Sequence, residues 1–208
     1  MGGIVSNLLS NFRNTIIVST GVAVLFLIGY GMHYSKANGG QIDAIYWQAV
    51  LRWAHAFVGI LWIGLLYYFN FVQIRVMPTI PAELKPAVSK YIAPEALFWF
   101  RWSALATWVF GVSLAWNRGY LLDAYCFGQL SHDPKVAFIG VGMWFATIMA
   151  LNVWVFIWPN QKIALGMVEA DADAKARAAK TAMLFSRTNL LLSIPMLTTM
   201  AMNQTIFG

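Results

Sequence analysis

One apolar stretch of the chain carries three residues whose types and spacing could hold a planar prosthetic group. Arg52, His55 and Gly59 form the pattern Arg-x-x-His-x-x-x-Gly, so they follow one another at about one helical turn. An imidazole is a common axial ligand of haem iron, and a guanidinium is suited to haem propionates. Gly59 lacks the side chain that would keep a macrocycle away from the backbone. The spacing therefore predicts a b-type haem site on this stretch.

The sequence offers several candidates for a second axial ligand. His33 is the other histidine close to a membrane span, and Met143, Met200 and Met202 lie at a comparable depth. The alternative reading of His55 is a neutral imidazole that is hydrogen bonded to a neighbouring helix without a metal. Both readings of His55 stay open on the sequence alone.

The stretch from Tyr46 to Gln73 is long enough to cross a bilayer as one helix. Its 28 residues cover about 42 Å at the rise of an α-helix. At about 100° per residue one face collects its polar side chains together with Gly59 and Leu66, namely Arg52, His55, Gly59, Leu66, Asn70 and Gln73. Polar groups that face lipid cost several kcal/mol each, so this face must look into protein, a cofactor or a water-filled cavity.

Composition places the whole chain among polytopic membrane proteins. It has 208 residues, of which 60% are hydrophobic and 11% charged, and a mean hydropathy of +0.63. The net charge of +6 does not indicate nucleic acid, because the basic residues lie between apolar runs. A single cysteine, Cys126, excludes an intrachain disulfide and a covalently attached c-type haem, so any haem is held without a covalent bond to the protein.

The apolar runs predict an all-α bundle in one domain, residues 1–208. We expect five transmembrane helices, at about 15–33, 46–73, 96–116, 135–158 and 188–207. A short amphipathic piece at the membrane interface is expected between Pro81 and Pro94, and an exposed helix from Asn160 to Arg187. Pro195 should kink the last span.

The distribution of lysine and arginine predicts how these spans are oriented. Nine of these residues fall on the side of the N-terminus and three on the other side. The positive-inside rule therefore predicts a bacterial inner membrane type of protein with a cytoplasmic N-terminus and an external C-terminus.

A second set of polar residues is predicted in the half of the bundle nearer the cytoplasm, which we call the inner side. It comprises Asn70, Gln73, Arg101, Asn152, Asn160, Gln161 and Arg187. The amides could satisfy the guanidinium donors of the two arginines and join helices together. We therefore expect an inner polar network whose role is chiefly structural.

Three runs of the chain resemble a known family. RWAHAFVGILWIGLLYYFNF, FWFRWSALATWVFG and MALNVWVFIWPNQK are similar to the membrane domain of bacterial urate oxidases that carry a C-terminal c-type cytochrome. The resemblance extends over roughly Tyr46 to Lys162. It implies a multi-span helical domain of respiratory membranes, with matching residues at Arg52, His55, Asn70, Arg101, Asn152, Asn160 and Gln161. Since the chain ends at Gly208 without Cys-x-x-Cys-His, we expect no cytochrome domain and no urate oxidation by this chain alone.

Two functions from different classes follow from these features. The first is a membrane protein that binds haem b and carries electrons, with a c-type cytochrome or another redox subunit as its partner. The second is a cofactor-free accessory subunit that packs in a respiratory complex or forms a homo-oligomer. In both cases we expect the helices to be surrounded by membrane lipid, and we do not expect nucleic acid as a partner.

Overall fold

The computed structural model describes residues 2–207, and these residues form helices and connecting turns without any strand. Met1 and Gly208, the two ends of the predicted domain, lie outside the described residues. The α-helices are α1 (Gly2–Leu9), α2 (Phe12–Ala37), α3 (Ala44–Tyr67), α4 (Ile74–Val76), α5 (Lys85–Ala87), α6 (Ala93–Asn117), α7 (Leu121–Tyr125), α8 (Pro134–Leu151), α9 (Trp158–Ala164) and α10 (Ala172–Ile206). The predicted all-α class is confirmed.

Four helical stretches are long and apolar enough to cross a membrane. They are Phe12–Ala37, Ala44–Thr79, Lys85–Asn117 and Pro134–Ala164, with mean hydropathies between 1.2 and 2.0. The chain therefore has the helices of an integral membrane protein. The fifth predicted span lies in the second half of α10, which is not among the four. Polar residues such as Asn189, Asn203 and Gln204 keep that part of α10 less apolar than the other spans.

Three of the long helices begin at a residue whose side chain accepts a backbone N–H of the first turn. Asn11 caps α2 through the amide of Asn14 at 3.2 Å. Asp133 caps α8 through Lys135 at 2.8 Å, and Asp171 caps α10 through Ala174 at 2.6 Å. These caps satisfy donors that lack a partner within the helix, so they fix where each helix starts.

Three π-helical turns interrupt the regular winding of the long helices. They comprise Tyr68–Gln73, Val88–Ile92 and Asn152–Ile157. The second and third are followed by Pro94 and Pro159, and the altered hydrogen bonding of a π turn accommodates a proline that cannot donate to the ladder. The predicted interfacial piece between Pro81 and Pro94 is therefore not a separate helix, since residues 85–92 continue directly into α6.

The predicted exposed helix from Asn160 to Arg187 is divided in the structure. Helix α9 ends at Ala164, and Gly166 then takes a φ of 75°, a conformation that suits glycine at the end of a helix. The chain becomes helical again after Asp171 and continues through Pro195 to Ile206 as one helix of 35 residues. The surface helix and the last predicted span are thus two halves of α10.

The chain divides into two compact units, Met1–Val50 and Leu51–Gly208. In the first unit, α2 packs against the start of α3. The hydroxyl of Tyr46 donates to the carbonyl of Leu27 at 2.8 Å, and a Cβ added at Gly31 would lie 3.0 Å from that hydroxyl oxygen. The close approach of these two helices therefore depends on a glycine at position 31.

The second unit is a bundle of α3, α6, α8 and α10 around a closely packed core. Its most deeply buried large side chains are Trp62, Leu66, Phe100, Met149 and Val153. Helix α10 runs antiparallel to α8, because Asn189 donates to the carbonyl of Met149 at 2.9 Å and Asn203 donates to that of Lys135 at 2.8 Å. These two bonds lie near opposite ends of α8, so α10 accompanies α8 along nearly its whole length.

Candidate functional site

The bundle forms a half-open cavity of about 600 Å³ between α3, α6, α8 and α10, which we call the His55 pocket. Its walls are mostly apolar, and Arg52, His55 and Gly59 line it from the side of α3. The loop after α6 contributes Arg118 and Tyr120. The three residues of the Arg-x-x-His-x-x-x-Gly pattern therefore face one cavity.

A hydrogen bond to α6 fixes the chemical state of His55. Its Nδ1 lies 2.9 Å from the carbonyl oxygen of Thr107. A carbonyl oxygen only accepts, so Nδ1 carries a proton, and in the neutral imidazole Nε2 then keeps its lone pair. Nε2 has no hydrogen-bond partner among residues 2–207. This is the arrangement that metal-binding histidines commonly adopt, with one nitrogen bonded to a carbonyl and the other open.

The imidazole of His55 rests against Gly111, one helical turn beyond Thr107 on α6. A Cβ added at Gly111 would lie 2.9 Å from Cε1 and 3.0 Å from Nδ1 of the ring, and the shorter of these distances is one that Cβ atoms in proteins essentially never show. By contrast, a Cβ at Gly59 would meet only Cγ2 of Thr107, at 3.6 Å. The glycine that makes room for the histidine is therefore Gly111, which the sequence pattern did not single out.

Two arginines lie together at one end of the His55 pocket. Nη1 of Arg52 donates to Oε1 of Gln204 at 2.8 Å, while its Nε is buried without a partner in the described part of the chain. Arg118 places its guanidinium 5.8 Å from the ring centre of Tyr120. Burial raises the pKa of Tyr120, and the nearby positive charges of Arg118 and Arg52 partly oppose this shift. No aspartate or glutamate lines the pocket among the described residues, so this end favours an anion.

The structure separates the four candidates for a second ligand. Met143 and Met200 line the same pocket as His55, and so does Met196, which the sequence analysis did not name. Met202 is exposed and does not line it. His33 lies on α2 in the first unit, and its side chain is exposed. The pocket itself thus offers thioethers rather than a second imidazole.

A cluster around Thr147 joins the walls of the pocket. Its hydroxyl accepts from Nε1 of Trp108 at 3.1 Å and lies 2.9 Å from the hydroxyl of Tyr125. The same hydroxyl donates to the carbonyl of Met143 at 2.8 Å. These bonds fix α6, α7 and α8 relative to one another. Deeper in the pocket Trp62 is only 1% exposed, and its Nε1 has no partner among residues 2–207.

Two of the three asparagines of the predicted inner network, Asn70 and Asn152, form hydrogen bonds to a neighbouring helix. Nδ2 of Asn152 donates to Oδ1 of Asn189 at 2.9 Å, and Asn189 in turn donates to Met149 on α8. Nδ2 of Asn70 donates to the hydroxyl of Ser186 on α10 at 2.9 Å. Asn70 and Asn152 both lie in π-helical turns. We call Asn70, Asn152 and Asn189 the asparagine layer.

The two arginines of the predicted inner network do not bond these amides. Arg101 places its guanidinium 3.9 Å from the ring centre of Trp158 and 5.3 Å from that of Phe98, and Arg187 is exposed. Asn160 donates to a carbonyl of its own helix, while Gln161 and Gln73 are half-buried. The expected guanidinium–amide bonds are therefore not found among the described residues: Arg101 contacts aromatic rings instead, and Arg187 is exposed.

The loop between α6 and α8 holds the other reactive side chains. The carboxylate of Asp123 accepts the backbone N–H of Leu130 at 2.9 Å, and the hydroxyl of Ser131 lowers the pKa of this carboxyl. Cys126 is free and exposed. Among residues 2–207 there is no group of three or more histidine, cysteine, aspartate or glutamate residues that could hold a metal ion. Asp123 is therefore a structural residue of the loop.

The fold and the pocket define the class of this protein, an all-helical membrane bundle with a mostly apolar internal cavity. Residues 118–207 match the family described as "Urate oxidase N-terminal". The resemblance inferred from the sequence is confirmed over this part, which includes the segment Asn152 to Lys162 and lies outside the His55 helix. The match covers less than half of the chain. No curated protein and no solved structure matches it.

Proposed function

We propose that the chain binds a b-type haem in the His55 pocket and carries electrons as part of a membrane redox system. The observation that carries the proposal is the state of His55. Its Nδ1 proton is engaged by Thr107, so Nε2 offers a lone pair beside a mostly apolar cavity of about 600 Å³. That volume lies within the range of cofactor sites in proteins.

The residues around the cavity fit the group. Haem is an apolar disc with two carboxylates at one edge, and the pocket pairs apolar walls with Arg52 and Arg118 at one end. The buried Nε of Arg52 lacks an acceptor, which a propionate would provide. With Cys126 as the single cysteine and no Cys-x-x-Cys-His, the group would be held by these contacts alone.

Haem, when bound, supplies reversible one-electron exchange at its iron. The chain's own residues bind and orient it: His55 provides the nitrogen, Thr107 and Gly111 hold the ring of His55, and Arg52 takes a carboxylate. Met143, Met196 and Met200 line the pocket and would be the candidates there for a second ligand. A group held by two side chains would leave no position for a substrate, so the proposed role is that of a carrier.

A pyridine haemochrome assay on the purified protein tests the proposal. The wild type is expected to contain haem b and to show a Soret band, and the variant His55→Ala is expected to lose both. The matched control is His132→Asn, because His132 is exposed in the loop and its φ of 57° suits asparagine. A colourless wild type, or equal haem in wild type and His55→Ala, would overturn the haem proposal and favour the cofactor-free accessory subunit.

The proposal also includes five spans, with the N-terminus in the cytoplasm and the C-terminus outside. The second half of α10 is the fifth span, since it accompanies α8 from Met149 to Lys135. Its polar residues face the bundle: Asn189, Ser193 and Asn203 are at most 5% exposed, while Leu191 and Ile194 are 73% and 62% exposed. A reporter fused after Gly208 should be active outside the cytoplasm. Activity only in the cytoplasm would contradict either the span count or the orientation.

A further inference from the structure

A second cavity lies away from the His55 pocket, between the end of α3 and the middle of α10. It measures about 500 Å³ and is lined by Asn70, Arg75, Arg187, Leu190, Leu191 and Ile194. We call it the Arg187 groove. None of its lining residues lines the His55 pocket, so the two cavities can take different ligands.

The Arg187 groove combines two positive charges with an apolar wall. Arg75 and Arg187 come from different helices and are both exposed. Neither is paired with a carboxylate among residues 2–207, and no acidic residue lines the groove. Two guanidinium groups that line one groove without a counter-ion suit a phosphate, since each can donate two parallel hydrogen bonds.

The apolar part of the groove continues from Arg187 along one side of α10. Leu190, Leu191 and Ile194 follow at three, four and seven residues, the spacing of a single helix face. Leu191 and Ile194 are 73% and 62% exposed. A ligand with a phosphate at Arg187 can therefore lay a hydrocarbon chain along this face, as an acyl chain of a phospholipid does.

The side chain of Asn70 has an oxygen that lacks a hydrogen-bond donor among the described residues. Its Nδ2 is used by the carbonyl of Leu66 and the hydroxyl of Ser186, both at 2.9 Å. Its Oδ1 is buried and has no partner in the described part of the chain. A buried acceptor without a donor is unfavourable by about 1–3 kcal/mol, so a ligand that brings a hydroxyl to this position would be favoured.

We propose that the Arg187 groove binds an anionic glycerophospholipid with a hydroxyl-bearing head group, of the kind of phosphatidylglycerol. Arg75 and Arg187 bind the phosphate, the head-group hydroxyl donates to Asn70, and an acyl chain covers Leu190, Leu191 and Ile194. Basic sites between transmembrane helices are a known mode of lipid head-group recognition. The site does not depend on haem.

The test is native mass spectrometry of the purified full chain in detergent, titrated with lipids of defined head group. We expect phosphatidylglycerol to bind at least about tenfold more tightly than phosphatidylcholine. The double variant Arg75→Gln/Arg187→Gln should lose about this factor. The matched control Lys90→Gln/Lys180→Gln removes the same charge from exposed positions outside the groove and should bind as the wild type does.

Further arms separate the sources of the effect. Inorganic phosphate should not displace the lipid, because it lacks the acyl chain. Phosphatidylmethanol has the same charge and no hydroxyl, and should bind several-fold more weakly than phosphatidylglycerol. If the double variant does not fold, Leu191→Asp places a carboxylate in the groove and should weaken binding. Equal binding of phosphatidylglycerol and phosphatidylcholine, or unchanged binding in these variants, would overturn the proposal.

Discussion

The His55 pocket and the asparagine layer lie in the same bundle and use polar side chains in opposite ways. In the layer, Asn189 is fully buried, and its amide oxygen and nitrogen are both bonded to α8 or its π turn. In the pocket, His55 uses one ring nitrogen and leaves the other open. A polar residue in a membrane helix thus joins helices where a neighbour completes its bonds, and is available to a ligand where a cavity lies beside it.

The largest expected effect is the loss of stability when the layer is broken. In Asn189→Leu, the amide of Asn152 and the carbonyl of Met149 each lose a partner at a buried site, at about 1–3 kcal/mol for each group. Unfolding in detergent, followed by tryptophan fluorescence, measures this. Asn160→Leu is the matched control, because Asn160 bonds only within its own helix. Equal stability of the two variants would contradict the structural role of the layer.

A smaller effect on stability, with a clear effect on the pocket, is expected from Gly111→Ala. The added Cβ lies 2.9 Å from the imidazole and must displace it, at about 1–3 kcal/mol, and the bond to Thr107 should lengthen. Gly64→Ala is the control, since a Cβ there meets nothing within 4 Å. Nitrogen NMR of labelled histidine reports the tautomer directly, whether or not haem is present. An unchanged His55 signal in Gly111→Ala would contradict the role of this glycine in making room for the imidazole.

The smallest loss of stability is expected when Arg101 is replaced. This replacement tests the arginines of the predicted inner network separately from its asparagines. Arg101→Leu removes a cation–π contact with Trp158, at about 0.5–2 kcal/mol, and leaves no buried amide unpaired. Arg101→Lys keeps the charge and should recover part of the loss. Thermal unfolding of the three proteins measures the difference. A loss of stability in Arg101→Leu as large as that in Asn189→Leu would indicate that Arg101 does bond an amide.

The sequence was sufficient to predict what depends on one helix at a time. Hydropathy and length located the apolar helices, and the face of α3 that carries Arg52 and His55 does line a cavity. Residues that matter through contact with another helix could not be found in this way. Gly111 has an ordinary sequence context, and only the imidazole that packs against it reveals its role. Arg118 is one of the three basic residues that the orientation prediction places outside the cytoplasm, and its role in lining the pocket was not predicted.

The division of α10 and the partners of Arg101 were beyond the sequence for a related reason. The composition of residues 160–187 indicated one exposed helix. In the structure the turn at Gly166 follows the end of α9, and the cap at Asp171 determines where α10 begins. Arg101 was expected to bond amides at a similar depth along the bundle. Depth alone does not specify which side chain lies across the interface, and there the rings of Trp158 and Phe98 are nearer.

The π-helical turns at Tyr68–Gln73 and Asn152–Ile157 have a consequence for evolution within this fold. A π turn holds one residue more than an α-helical turn, so each behaves as a single-residue insertion that the helix has absorbed. Deleting one residue there would restore regular winding and leave the downstream residues on nearly the same faces. The same deletion in a regular α-helical turn would instead rotate everything downstream by about 100°. Alignments of relatives should therefore allow a one-residue gap inside these helices, because a gapless alignment would pair residues from different faces.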